Sequence, residues 1–266
     1  MSLVVPLAPD RDAPLSRLNP VAKLAAVGIV TVGMLLSLDA VTPAVLLLIE
    51  VLAFPFTGVR LGTLLRRSWP LLLSIAGVCV ANVVAIDRGD VLLDLGPVEV
   101  TSGGLESAAA VALRLLALTL PGIVVLAATD PMDLADALVQ RWHVPARFAY
   151  GALAALRLLP LLSADWQMIG RARRARGLDA GRSPVAHLRA FAGQVFSVLV
   201  AAVRRGVRLA QAMEARGFGA TGVERTVARP QPMRRGDWLL LAATLAAVVL
   251  ATAVSVAVGS WQLPFA

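Results

Sequence analysis

The chain has little of what most enzymes and secreted domains depend on. Its 266 residues include one cysteine, Cys79, so an internal disulfide framework is excluded. There are two histidines, His143 and His187, far apart and without acids or cysteines at ligand spacing, which argues against a metal or histidine-based catalytic centre. Charged residues make up 16%, against about 25% in ordinary soluble domains. The only lysine is Lys23, in Asn19-Pro20-Val21-Ala22-Lys23. A phosphate-cradling G-x-x-x-x-G-K-[ST] loop needs a lysine directly after its second glycine. None can exist here, so any ATP used by this protein is bound by another chain.

What is abundant is aliphatic surface. Hydrophobic residues account for 58% of the chain, and the mean hydropathy is +0.77. That is too apolar for a wetted globular surface and excludes disorder. It predicts an all-α polytopic membrane protein. A spanning helix needs about 20 mainly apolar residues, and five segments qualify: Val21–Leu38, Val41–Thr57, Trp69–Ile86, Ala112–Thr129 and Trp238–Val258. The first has no small-residue cleavage site after it and reads as a retained span. Pro121 is expected to kink the fourth.

The links set an orientation. Arg60–Ser68 holds Arg60, Arg66 and Arg67 and no acid, whereas Asp87–Gly104 holds Asp87, Asp90, Asp94 and Glu99 against Arg88 alone. By the positive-inside rule the first faces the cytoplasm and the second faces out. The N-terminus is then cytoplasmic and the C-terminus outside, in a multi-pass protein of the cell membrane. The chain reads as three parts: 1–129 with four spans, a polar segment 130–237, and 238–266 with the last span.

The basic character is local. Segment 130–237 holds 17 arginines and 8 acids, while the remainder is close to neutral. Asp130-Pro131-Met132-Asp133 starts a helix that runs to about Trp142. Pro145 opens a longer helix ending at Arg176-Gly177, and Ser183-Pro184 opens another ending at Arg216-Gly217. The apolar parts of these two helices, 145–164 and 190–203, are poor spans. The first carries Arg147 and Arg157, costing roughly 2.5–3.5 kcal/mol each near the bilayer centre, and the second is short. Both are expected to lie at the interface or under the other spans.

Both long helices close on the same triplet, Ala175-Arg176-Gly177 and Ala215-Arg216-Gly217. One copy is an ordinary stop: arginine complements the helix dipole and glycine ends the helix. Two copies suggest more. Small flanking residues allow close approach, and an always-charged planar guanidinium suits carboxylates and carbonyls of an acidic groove. Two such tips suit a partner with two similar grooves.

With these motifs the sequence resembles the transmembrane T component (EcfT/CbiQ-like) of energy-coupling factor (ECF) transporters, most strongly over Asp130–Gly219. Asp130-Pro131, Pro145, Pro160 and the Met213-Glu214-Ala215-Arg216-Gly217-Phe218 run carry the likeness alongside the two triplets. The resemblance implies a non-enzymatic subunit with no catalytic residues, metal or cofactor of its own. It would stand between two ABC-type ATPase subunits, which bind ATP and Mg, and a membrane S component that binds a vitamin or metal ion. Segment 130–237 becomes a cytoplasmic or interfacial coupling module whose two long helices cross and seat in the ATPase dimer. Ala175, Arg176, Gly177, Ala215, Arg216 and Gly217 become its ATPase-coupling residues, supported by Arg173, Arg174 and Glu214. Apolar helix faces would hold the S component.

Other readings stand beside this one. A stand-alone permease needs a polar path through the spans, where only Glu50, Asn82 and a few hydroxyls lie. A membrane-embedded enzyme needs acids, histidines or a nucleophile–base set in the basic segment. A nucleic-acid binder needs aromatics interleaved with arginines, and Phe148, Trp166 and Phe191 are scattered. Glu50 lies inside a span and is by default a functional candidate. Arg114 is expected to snorkel near the outer end of its span. Cys79 reads as a small hydrophobe, and Trp261 as an interface anchor. Arg204, Arg205 and Arg208 could meet lipid phosphates or partner acids.

Overall fold

A computed structural model describes residues 14–37, 39–58, 61–86, 89–94, 99–177, 183–218 and 229–261. Eight α-helices carry this part of the chain: α1 Pro20–Leu35, α2 Val41–Ala53, α3 Leu61–Ala85, α4 Ser102–Ala127, α5 Pro131–Arg141, α6 Ala146–Ala175, α7 Pro184–Ala215 and α8 Arg235–Val258. Between α3 and α4 stands a short antiparallel hairpin, β1 Val91–Asp94 with β2 Glu99–Thr101, so the fold is helical with almost no sheet.

The helix ends follow local chemistry. Asn19 accepts the Val21 N–H at 2.9 Å, and Pro20 supplies a preset first position for α1. Asp130 accepts the Met132 N–H at 2.7 Å to start α5. Thr101 accepts the Gly104 N–H at 3.2 Å and donates to the Ile86 carbonyl at 2.7 Å, joining the ends of α3 and α4.

Two boundaries differ from the sequence reading. Segment Arg60–Ser68 is helical from Leu61: no proline interrupts it before Pro70, and its one weak helix former, Gly62, lies in the first turn. Arg60 lies outside the described residues. Helix α4 begins ten residues before Ala112, at Ser102, where the Thr101 cap fixes its start, and runs on through Pro121 as one helix.

The set of apolar helices also differs. Five helices or helix segments are long and apolar enough to cross a membrane: Ser68–Ala85, Ser102–Ala127, Ala146–Ala175, Pro184–Ala215 and Arg235–Val258. Thus α6 and α7 qualify by length and composition, while α1 and α2, at 16 and 13 residues, are shorter.

The chain forms two units. One comprises the described residues up to Ala137 and from Gln231 onward. Here α1 packs on α8 and α4, α2 on α4 and α8, and α3 on α4. Its core is Val30, Met34, Leu46, Val248 and Ala251. Small residues sit at the contacts, with Ala22, Ala117 and Ala251 fully buried. Apolar interfaces in a bilayer gain by close van der Waals approach rather than by expelling water. Leucines and valines such as Leu35, Leu52, Leu73, Leu126 and Leu239 point outward, the arrangement a lipid solvent permits.

Polar atoms in this unit are gathered into two buried knots. At the start of α8, the Asp237 carboxylate accepts the Asn19 N–H at 2.7 Å and the Arg234 N–H at 2.6 Å. Beside it, Asn19 Nδ2 donates to the Gln231 carbonyl at 3.1 Å, and Lys23 Nζ donates to the Ala128 carbonyl at 2.9 Å. At the far end of α8, the Asp39 carboxylate accepts the Ser255 hydroxyl at 2.7 Å, the Thr42 N–H at 2.6 Å, and the Ser37 and Thr42 hydroxyls. Arg114 reaches the Ser37 carbonyl with a guanidinium N–H. It therefore ties α4 to the α1–α2 turn instead of snorkelling to the surface, because an acceptor lies within reach inside the bundle. Cys79 Sγ lies 3.6 Å from the Ala108 carbonyl, filling the α3–α4 contact.

The second unit spans Leu138–Pro230 and is built on α6 and α7. Gln194 of α7 meets Trp166 of α6, Arg205 meets Asp165, and Phe218 meets Tyr150. Later residues of one helix face earlier residues of the other, so the pair is antiparallel.

Candidate functional site

The two Ala-Arg-Gly triplets are helix ends of one geometry. Arg176 and Arg216 are the C-cap residues, and Gly177 and Gly217 follow with φ of 71° and 77°. That left-handed conformation is open to glycine and strained for residues with a Cβ. The Gly217 N–H bonds to the Glu214 carbonyl at 2.8 Å, and the Phe218 N–H to the Met213 carbonyl at 2.9 Å. These two bonds make a Schellman motif. At the other end, the Gly177 N–H bonds to the Arg174 carbonyl at 3.0 Å, the corresponding bond.

Because α6 and α7 run antiparallel, these ends lie at opposite extremes of the pair. Helix α6 alone has 30 residues, about 45 Å of rise. The fold therefore holds Arg176 and Arg216 apart and does not bring them into one site. Both side chains are exposed, as are Ala175, Gly177, Ala215 and Gly217. A Cβ placed on Gly177 or Gly217 would meet no atom within 4 Å, so the ground around each tip is open.

The supporting residues divide. The Arg173 guanidinium lies against Gly193 of α7, with Nη1 2.9 Å from where a Cβ would stand, so it fills the helix contact. Arg174 and Glu214 are exposed. Glu214 borders a groove of about 480 Å³ between the helices, floored by Gly151, Ala154, Gly206 and Ala210. Phe218 packs edge-on against Tyr150, with centroids 6.2 Å apart, and so fixes the second tip to the start of α6.

Sequence reasoning missed what stiffens the pair. Arg205 forms an ion pair with Asp165 at 2.7 Å across the two helices. The available signal was that Asp165 is the only acid on α6. Among the described residues no group of three or more His, Cys, Asp and Glu comes together as a metal site would require. Glu50 lies in the other unit, where it faces an apolar cavity of about 240 Å³ bordered by α1, α2, α4 and α8. Among the described residues its two buried carboxyl oxygens meet no hydrogen-bond partner.

Comparison with known proteins gives this geometry a family. The family model described as CbiQ, cobalt transport protein, matches residues 11–227. The chain belongs to this family. The energy-coupling factor transporter transmembrane protein EcfT of Heliobacterium modesticaldum is 30% identical over 249 residues, 90% of this chain and 92% of that protein. EcfT 1 of Listeria monocytogenes is 30% identical over 185 residues, 66% of this chain and 70% of that protein. EcfT of Bacillus subtilis is 26% identical over 210 residues, 76% and 79% of the two chains. The protein is thus a CbiQ/EcfT-type transmembrane component of an ECF transporter. The match covers both triplets and ends soon after the second.

Proposed function

We propose that this chain is a non-catalytic coupling subunit that passes ATP-driven movement of two ABC-type ATPase subunits to a membrane S component. The reading rests above all on one observation: two exposed, glycine-ended arginine tips stand at opposite ends of one antiparallel helix pair. A dimeric ATPase presents two equivalent grooves, and a rigid pair with a tip at each end can engage both at once. Arg176 and Arg216 enter acidic grooves as bidentate donors. Ala175, Gly177, Ala215 and Gly217 keep the approach clear. ATP and Mg stay on the partners, in keeping with a chain that has one lysine and no phosphate loop.

In this reading the N-terminus and the coupling module 130–237 are cytoplasmic and the C-terminus lies outside. The exposed apolar faces of α6 and α7 receive lipid and the S component, whose cargo is a vitamin or a metal ion. Of these, the family's description as cobalt transport supports the metal ion.

Gentle solubilisation and co-purification test the assignment. The tagged chain should bring two ATP-binding-cassette subunits and a small hydrophobic protein. Arg176→Glu with Arg216→Glu should weaken ATPase association more than about tenfold, because a like-charge contact costs several kcal/mol, and should leave membrane insertion intact. Full ATPase retention by the double variant would remove the coupling role from these tips.

A further inference from the structure

One face of α6 carries Gln167, Gly170, Arg171 and Arg174 at spacings of three and four residues, which align on a helix. Gly170 is buried where α7 comes close, and Gln194 Nε2 lies 3.1 Å from where its Cβ would be. The same amide donates to the Trp166 carbonyl at 2.8 Å, which holds Gln194 in place. A cavity of about 370 Å³ results, lined by Trp166, Gln167, Gly170, Arg171, Arg174 and Gln194.

The lining contains two guanidiniums, two amides and no carboxylate. Among the described residues neither Arg171 nor Arg174 makes an ion pair, and Asp165, the only acid on α6, is bound to Arg205. Two cations three residues apart on a helix repel each other, and an anion shared between them removes that repulsion. The surroundings say which kind of anion. Trp166 packs edge-on against Phe191 at 5.5 Å. Phe191 is 56% exposed, and Leu188, three residues earlier on α7, and Met168, two residues after Trp166 on α6, are each 68% exposed. Aromatics bordered on one side by aliphatics and on the other by arginines mark the headgroup level of a membrane. A phosphate at this cavity has apolar surface directly available for acyl chains.

We propose that this cavity binds the phosphate of an anionic phospholipid, gripped by Arg171 and Arg174 with Gln167 and Gln194 as further donors. The site places the lipid headgroup plane along α6 just short of the Ala175-Arg176-Gly177 tip. It does not depend on the identity of any protein partner.

The full-length chain in nanodiscs tests it. Discs of phosphatidylcholine with about a third phosphatidylglycerol are disassembled in the gas phase, and retained lipid is counted by native mass spectrometry. Wild type should retain phosphatidylglycerol. Arg171→Gln with Arg174→Gln should reduce retention about tenfold, in line with the loss of two charge-assisted contacts, and each single variant should reduce it less. Arg157→Gln, on α6 but outside the cavity, should leave retention unchanged. Wild-type retention by the double variant would overturn the proposal. So would displacement of the lipid by millimolar inorganic phosphate, which would assign the cavity to a free anion. Equal loss in Arg157→Gln would also overturn it, because general surface charge would then suffice. Arg171→Lys with Arg174→Lys keeps both charges and should retain lipid above the glutamine pair, which separates a lost site from a misfolded helix.

Discussion

The two units spend the same kind of sequence in opposite ways. The unit of α1–α4 and α8 turns many polar groups inward and, Glu50 apart, pairs the main ones, with Asn19, Lys23, Asp39, Thr42, Asp237 and Ser255 all nearly or fully buried. The α6–α7 pair keeps few polar side chains between its helices, chiefly Asp165, Arg205 and Gln194: none of the 32 residues of α7 is buried, and Arg176 and Arg216 are exposed. Buried polar groups that are fully satisfied fix one arrangement of helices. Exposed guanidiniums on a stiff helix pair fix nothing inside the molecule and remain available to something outside it. Buried polar knots therefore mark one unit and exposed arginine tips the other, and substitution should tell the two kinds of residue apart.

The largest contrast is expected at the charged residues. Asp237→Ala leaves the buried Asn19 N–H and the half-exposed Arg234 N–H without their acceptor. At about 1–3 kcal/mol for a buried unsatisfied donor, with the half-exposed Arg234 N–H at the low end, the variant should lose about 2–4 kcal/mol and melt well below wild type in detergent. Arg176→Ala removes an exposed side chain and should stay within about 0.5 kcal/mol of wild type, although it is aimed at the candidate site. Comparable melting of the two variants would erase the distinction between the units.

Glycines give a smaller version of the same contrast. In α1, a Cβ on Gly33 would stand 2.4 Å from Val248 Cγ1 of α8. Valine is stiff at χ1 and cannot swing clear, so Gly33→Ala should destabilise by about 1–3 kcal/mol through overpacking. In α7, a Cβ on Gly206 would meet nothing within 4 Å. Gly206→Ala should be neutral or stabilising by up to about 1 kcal/mol, from helix propensity alone. Thermal melts of the two alanine variants, measured side by side, check the sign of each.

How much of this was legible in the sequence depended on the range of the interaction. The ends of α6 and α7 could be read to within a residue, because proline, arginine and glycine act on their own turn. The start of α4 was placed ten residues late, because its cap on Thr101 is secured by the Ile86 carbonyl across a hairpin, and no periodicity reports that contact. The triplets were visible as repeated letters. That they face opposite ways was not, since it follows from the antiparallel pairing of Trp166 with Gln194 and Tyr150 with Phe218. Asp237 was counted as the last polar residue before a span. Its partner Asn19 lies 218 residues away, and only the folded bundle makes it a buried acceptor.

The smallest expected effect concerns acid. Burial alone would raise the Asp39 carboxyl, but the hydrogen bonds from the Ser255 hydroxyl and from the Thr42 amide and hydroxyl outweigh it and hold the group below its ordinary value of 3.8. A carboxyl depressed in the native state stabilises that state above the unfolded chain's value, and the contribution fades as pH falls through the native one. Melting temperature should therefore respond to this group only below about pH 4 and not between pH 5 and 8. Ser255→Ala deletes one of the bonds. It should cost about 0.6 kcal/mol at neutral pH, the average for interhelical hydrogen bonds in membranes, and should make the acid-dependent loss smaller and complete at higher pH, because the native carboxyl then lies closer to its unfolded value. Ser197→Ala is the matched change in the other unit, since that hydroxyl only returns to the Gly193 carbonyl of its own helix at 2.8 Å. It should move neither the melting temperature nor its acid dependence. An acid profile for Ser255→Ala that overlays wild type would mean that the Asp39 knot holds the α1–α2 turn without help from α8.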